Sequence, residues 1–223
     1  MKNLQKQNGF TLIEIAIVLV IIGLLLGGVL KGQELINSAR VKNLATDFRN
    51  IPVYIYGYQD KFRALPGDDQ NAASHVGGTV SSSGKTGNGV IDGKWDSTTA
   101  TDETQLFWQH VRLAGLAAGV TNAADYLPTN SVGGVIGITN GGVDNPDPAP
   151  PATRISGTYI ICSAGILGKY AKQLDIQMDN GDPVSGSMRA YNNTTVRPST
   201  LSAPTLVSGA LDDATSYTVC MGV

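Results

Sequence analysis

Charge and aromatic rings are both scarce in this chain. Charged residues make up 15% and aromatic residues 6% of its 223 positions, whereas a soluble domain is usually about a quarter charged. The balance of 16 Lys and Arg against 18 Asp and Glu leaves a net charge of −2, so bulk attraction to nucleic acid is not expected. There are only two histidines, His75 and His110, and neither stands in an HExxH or related metal spacing. A GxSxG elbow and a Walker loop are both missing. The glycines Gly84, Gly87, Gly89 and Gly93 fall outside the GxGxxG register. Trp95 and Trp108 read as core or loop anchors rather than a base-stacking platform. With no catalytic constellation, the expectation is a protein that is not an enzyme. The two cysteines, Cys162 and Cys220, fit no zinc spacing. Whether they are free thiols or a pair depends on the compartment.

Apolar residues, by contrast, are concentrated at one end. Residues 1–9, MKNLQKQNG, are polar and carry Lys2 and Lys6. Residues 10–30, FTLIEIAIVLVIIGLLLGGVL, then run apolar with one charge, Glu14. As a helix this run spans about 31 Å, the thickness of a bilayer core. A secretory signal has a shorter apolar region followed by a small-residue cleavage site, but here Gly27 and Gly28 lead straight into KGQELINSAR. A buried helix of a soluble protein would not remain apolar for so long. A plain transmembrane anchor explains everything except Glu14, because a carboxylate inside a span costs a few kcal/mol unless it is paired.

The string Gly9-Phe10-Thr11-Leu12-Ile13-Glu14, placed before such a helix, resembles the prepilin processing motif of type IV pilins and type II secretion pseudopilins. The resemblance implies that a membrane-embedded prepilin peptidase cuts between Gly9 and Phe10 and that Phe10 becomes N-methylated. It also implies that Glu14 neutralises the N-terminal amine of a neighbouring subunit during assembly. A desolvated acid in hydrocarbon gains strongly from a desolvated ammonium, which agrees with that role. The implied partners are further copies of the chain, the peptidase, the inner-membrane assembly machinery and the inner membrane itself. Lys2 and Lys6 favour a cytoplasmic start, with the bulk of the chain facing out. Exposure to the periplasm then favours a Cys162–Cys220 disulfide, worth roughly 4 kcal/mol by loop closure.

The expected fold class is α+β, in four parts: a leader at 1–9, a membrane or filament-core helix at 10–30, an amphipathic continuation at 31–62 and a head at 63–223. In the continuation Val41, Leu44, Ala45, Phe48, Ile51, Ile55, Tyr58 and Phe62 step by threes and fours along one face. Pro52 should kink this helix rather than end it. In the head, residues 64–105 read as a long Gly- and Ser-rich connection, and 140–153 as a Pro-rich loop. Asp102–Gly115 reads as a short helix, with Leu106, Phe107, Val111 and Leu113 as its contacts. TYIICSAG and SYTVCMGV read as strands of a small antiparallel sheet, each carrying one cysteine. Residues 165–190 start helical and pass into a turn at Asp179–Pro183. Together with ALPGDD and GNGVIDG, that segment is similar to larger prepilin-like proteins.

The acids Asp175, Asp179 and Asp182 invite a Ca²⁺ reading, and some pseudopilins bind calcium. Their spacing misses the EF-hand pattern, so a solvated, self-capped turn is the preferred reading. Asp68 and Asp69 in PGDD are read the same way, and no cofactor is expected. The sequence thus predicts a structural subunit of a type IV pilus-like filament, single-pass in the inner membrane before assembly and periplasmic or extracellular afterwards. The alternatives are a type II secretion pseudopilin or minor pilin, or a membrane-anchored adhesin that does not polymerise.

Overall fold

The computed structural model describes residues 11–122, 124–149, 153–192 and 210–223. The chain divides into two compact units, Met1–Ala39 and Arg40–Val223. Helix α1 covers Leu12–Phe62, 51 residues, and so belongs to both.

Within the first unit the helix from Leu12 to Leu30 is apolar on every side but for Glu14. Each described residue from Thr11 to Lys31 is exposed, and even Ile22, among the least exposed of the large side chains there, shows 46% of its surface. A helix greasy all round is at home in lipid or among other helices. A Cβ added at Gly23, Gly27 or Gly28 would meet nothing within 4 Å. Packing inside the chain therefore does not demand these glycines, whereas close approach between neighbouring membrane helices would use them.

Within the second unit the helix becomes one-sided. Val41, Leu44, Ala45, Phe48, Ile51, Ile55 and Tyr58 are buried, as the stripe predicts, while Phe62 is only half-buried. The helix continues through Pro52. Around it are α2 (Ala72–His75), α3 (Glu103–Leu113), β1 (Ile136–Asn140), β2 (Tyr159–Leu167), α4 (Gly168–Met178), β3 (Met188–Asn192) and β4 (Ser216–Gly222). On α3, Leu106, Phe107, Trp108 and Val111 are buried, whereas Leu113 is half-buried. Gly115 follows α3 at φ +76°, a left-handed conformation that glycine adopts without a Cβ penalty.

The four strands form one antiparallel sheet in the order β1-β2-β4-β3. Alternate residues divide it into two buried faces. Ile136, Ile138, Ile161, Val219 and Met221 join the core that also holds Phe48 and Phe107 of the helices. Ile160, Cys162, Ala164, Tyr191 and Cys220 point the other way and pack with Trp95 and Ile155 from the loops. Covering both faces is why β2 reads YIICSAGIL without a polar alternation. The register of β2 on β4 shifts between Ser163 and Ile166, at a bulge where Gly165 has φ +74°. Cys162 and Cys220 face each other across β2 and β4 and are disulfide-bonded, 58 residues apart in sequence.

Candidate functional site

The start of α1 is built by a reciprocal cap. The Thr11 backbone N–H donates to Glu14 Oε2 at 2.8 Å, and the Thr11 hydroxyl donates to the same oxygen at 2.7 Å. The Glu14 N–H in turn lies 3.3 Å from Thr11 Oγ1. Threonine followed three residues later by glutamate is the capping-box pattern, which satisfies amides that a helix start leaves unpaired. The single acid of the apolar stretch therefore has a local partner within its own chain. Glu14 is exposed, and its other oxygen, Oε1, makes no hydrogen bond to a described residue. Gly9 and Phe10, the expected cleavage and methylation positions, lie outside the described residues.

Further along, the ALPGDD segment is more than a solvated turn. Asp68 and Asp69 are 3% and 2% exposed, so that expectation is corrected. The Asp68 carboxylate sits in a nest of backbone N–H groups from Gly87, Asn88 and Gly89. It thereby fastens the glycine-rich GNG stretch to the end of α1. Asp69 accepts from the Tyr58 hydroxyl at 2.7 Å and from the Asn71 N–H at 2.8 Å, and lies 2.7 Å from His75 Nδ1. Burial pushes the Asp69 carboxyl up, but the bonds from His75, Tyr58 and Asn71 outweigh it and hold the group below its usual range. Burial, reinforced by Asp69, pushes the Tyr58 phenol far up. Gly67, at φ +91°, leaves no room for a Cβ against the Glu103 carbonyl. Its N–H donates to His110 Nδ1 at 3.0 Å, while His110 Nε2 donates to the Thr79 carbonyl at 2.7 Å. These two bonds fix a neutral imidazole, and burial lowers its pKa. The network ties the end of α1 to α2, α3 and the turns between them. Sequence reasoning missed it because a buried Asp and an exposed one look alike until their donors are located. The run of glycines that can supply a backbone nest was the one available signal.

The three acids near the C-terminal turn do not converge. Asp175 is buried on α4 at 1% exposure and neither of its oxygens finds a well-formed hydrogen bond, so the solvated-turn expectation fails for it. Burial, reinforced by Asp179 and Asp182, pushes its carboxyl up to about 6, with the Gly181 amide opposing. Asp179 Oδ2 accepts from the Met188 N–H at 2.9 Å. Asp182 accepts from the Val184 N–H and the Ser185 hydroxyl, as a self-capped turn does. Among the described residues no cluster of three or more His, Cys, Asp or Glu is arranged to hold a metal ion.

The features that fit a membrane are those at the N-terminus. The helix from Leu12 is long and apolar enough to cross a membrane. Residues 4–30 match the family model for the prokaryotic N-terminal methylation motif. That match supports a type IV pilin-like or pseudopilin protein processed by prepilin peptidase, and it fits membrane anchoring before assembly. Comparison with curated proteins and with solved structures gives no significant match.

Proposed function

We propose that the chain is a structural, non-catalytic subunit of a bacterial type IV pilus-like filament. In this reading it waits as a single-pass inner-membrane protein, is cut between Gly9 and Phe10, and is methylated on Phe10. It is then extruded by the inner-membrane machinery so that the apolar part of α1 packs among its copies. The observation that carries the proposal is the unpartnered apolar surface from Leu12 to Leu30, broken only by Glu14 directly after the methylation motif. Glu14 then pairs with the N-terminal amine of a neighbouring copy.

The test is electron microscopy of sheared surface filaments with mass spectrometry of the N-terminus of their main protein. The proposal expects fibres whose subunit begins at methylated Phe10. A chain cut at Gly9 that stays in the envelope without fibres would instead indicate a pseudopilin or minor subunit. An intact Met1 would remove the reading altogether. The cap also allows the charge of Glu14 to be separated from its capping role. Glu14→Gln keeps a capping acceptor and loses the charge, so filaments as abundant as wild type from this variant would sink the amine-pairing role.

A further inference from the structure

On the second unit, one face of α1 carries a carboxylate that pairs with no cation among the described residues. Asp47 lines a notch of about 170 Å³ together with Asn50 and Tyr54 of the same helix and the apolar Ile51, Pro128 and Ile136. Among the described residues the side chains of Asp47, Asn50 and Tyr54 make no hydrogen bond or ion pair. Arg112 also lines the notch, but its Nη1 donates to the Val120 carbonyl, and the acid that acts on it is Asp125 rather than Asp47. Burial alone pushes the Asp47 carboxyl up to about 6, with no cation drawing it down.

The opposite face of the same helix has the complementary character. Arg49 is two residues on from Asp47, about 200° around the helix at roughly 100° per residue. Lys42, Val53 and Tyr56, at seven before, four after and seven after Arg49, share its side. All four are exposed, Val53 at 63% and Tyr56 at 66%. Neither cation is ion-paired among the described residues.

We propose that the Asp47 notch receives Arg49 of a second copy of this chain, with Val53 and Tyr56 of that copy covering the rim. The notch suits such a side chain. A planar guanidinium matches a carboxylate with two parallel bonds, and its alkyl stem suits the apolar lining. Because the two patches lie on opposite sides of one helix, the contact is heterologous. Each copy has its notch filled by one neighbour and fills the notch of the next. Contacts of that type need not close into a ring and can propagate as an open helical array. The inference rests on the filament reading and specifies one contact that holds the copies together outside the membrane.

The experiment uses the full chain in cells that carry an assembly machinery. Asp47→Arg and Arg49→Asp should each reduce filament yield at least tenfold. The double exchange Asp47→Arg with Arg49→Asp should restore it, which a variant that merely misfolds would not do. A photo-crosslinking residue placed at Tyr54 should join two copies through the segment Lys42–Tyr56 of the second. Undiminished filaments from both single variants, or no recovery in the double exchange, would overturn the pair. So would filaments in which Tyr54 links no second copy. If wild type makes no filaments, the assembly reading fails, and the crosslink in the membrane still decides the pair by the presence or absence of that adduct.

Discussion

Helix α1 is one continuous helix with two different surface patterns. From Leu12 to Leu30 it is apolar and exposed on every side but for Glu14, whereas from Val41 to Tyr58 one stripe is buried and the rest is mostly polar or charged. The first pattern is exposed among the described residues, as suits a helix that lies in lipid or among other helices. The second draws its stabilisation from its own head. Burial within a chain is encoded by periodicity, while burial between chains is encoded by its absence.

That contrast gives its sharpest prediction in the second part. Phe48 is 1% exposed in the core, and Phe48→Ala should cost about 3–5 kcal/mol of head stability. Denaturant unfolding in detergent should record that loss while carbonate extraction shows the membrane fraction unchanged. The converse variant is Ile22→Lys. A cation near the centre of a span costs about 3 kcal/mol, so this change should deplete the membrane fraction and leave the head's unfolding midpoint in place. If either variant moved both readouts equally, the division between the two parts would be wrong.

The acids of the head sharpen the comparison further. Asp47 and Asp175, both pushed up to about 6, bind protons more readily folded than unfolded. Their ionisation therefore weakens the fold as pH rises from about 4 through 6. Asp175→Asn should stabilise the head by about 1–2 kcal/mol at pH 7.5, an advantage that fades below about pH 4. His110 acts in the opposite sense. Its folded pKa is lowered, so the stability from its neutral state is full above the unfolded value of about 6.5 and is lost as pH falls through it. Melting curves of wild type and Asp175→Asn between pH 4 and 8 check both signs. The smallest expected effect belongs to the cap. Thr11→Ala should fray the first turn of α1 at a cost of about 1 kcal/mol, visible as faster amide exchange at Leu12 and Ile13 with no change beyond Arg40.

Much of this architecture was legible in the sequence, and the reasons differ by element. The stripe from Val41 to Tyr58, the short helix Glu103–Leu113 and the cysteine-bearing strands each carry their pattern locally. Strands β1 and β3 do not. Ile136–Asn140 is five residues beside glycines, and Met188–Asn192 follows a turn, so each becomes a strand only because a neighbour supplies its ladder. The four-residue helix α2 is too short to leave a period. Burial of Asp68, Asp69 and Asp175 depends on which distant backbone amides and side chains close over them, and no local pattern reports that. The confinement of Asp47 beside Pro128 and Ile136 was not legible either, because those residues come from distant segments.

The strand order has a consequence in time. β4, the most C-terminal of the described strands, is an inner strand, hydrogen-bonded to β2 on one side and β3 on the other. A chain synthesised N-terminus first cannot close its sheet until residues 216–222 are available to fold. Until then β2 waits with an open edge and Cys162 with a free thiol. Oxidation to Cys220 thus reports closure of the sheet: it marks the moment when β4 has taken its place between β2 and β3.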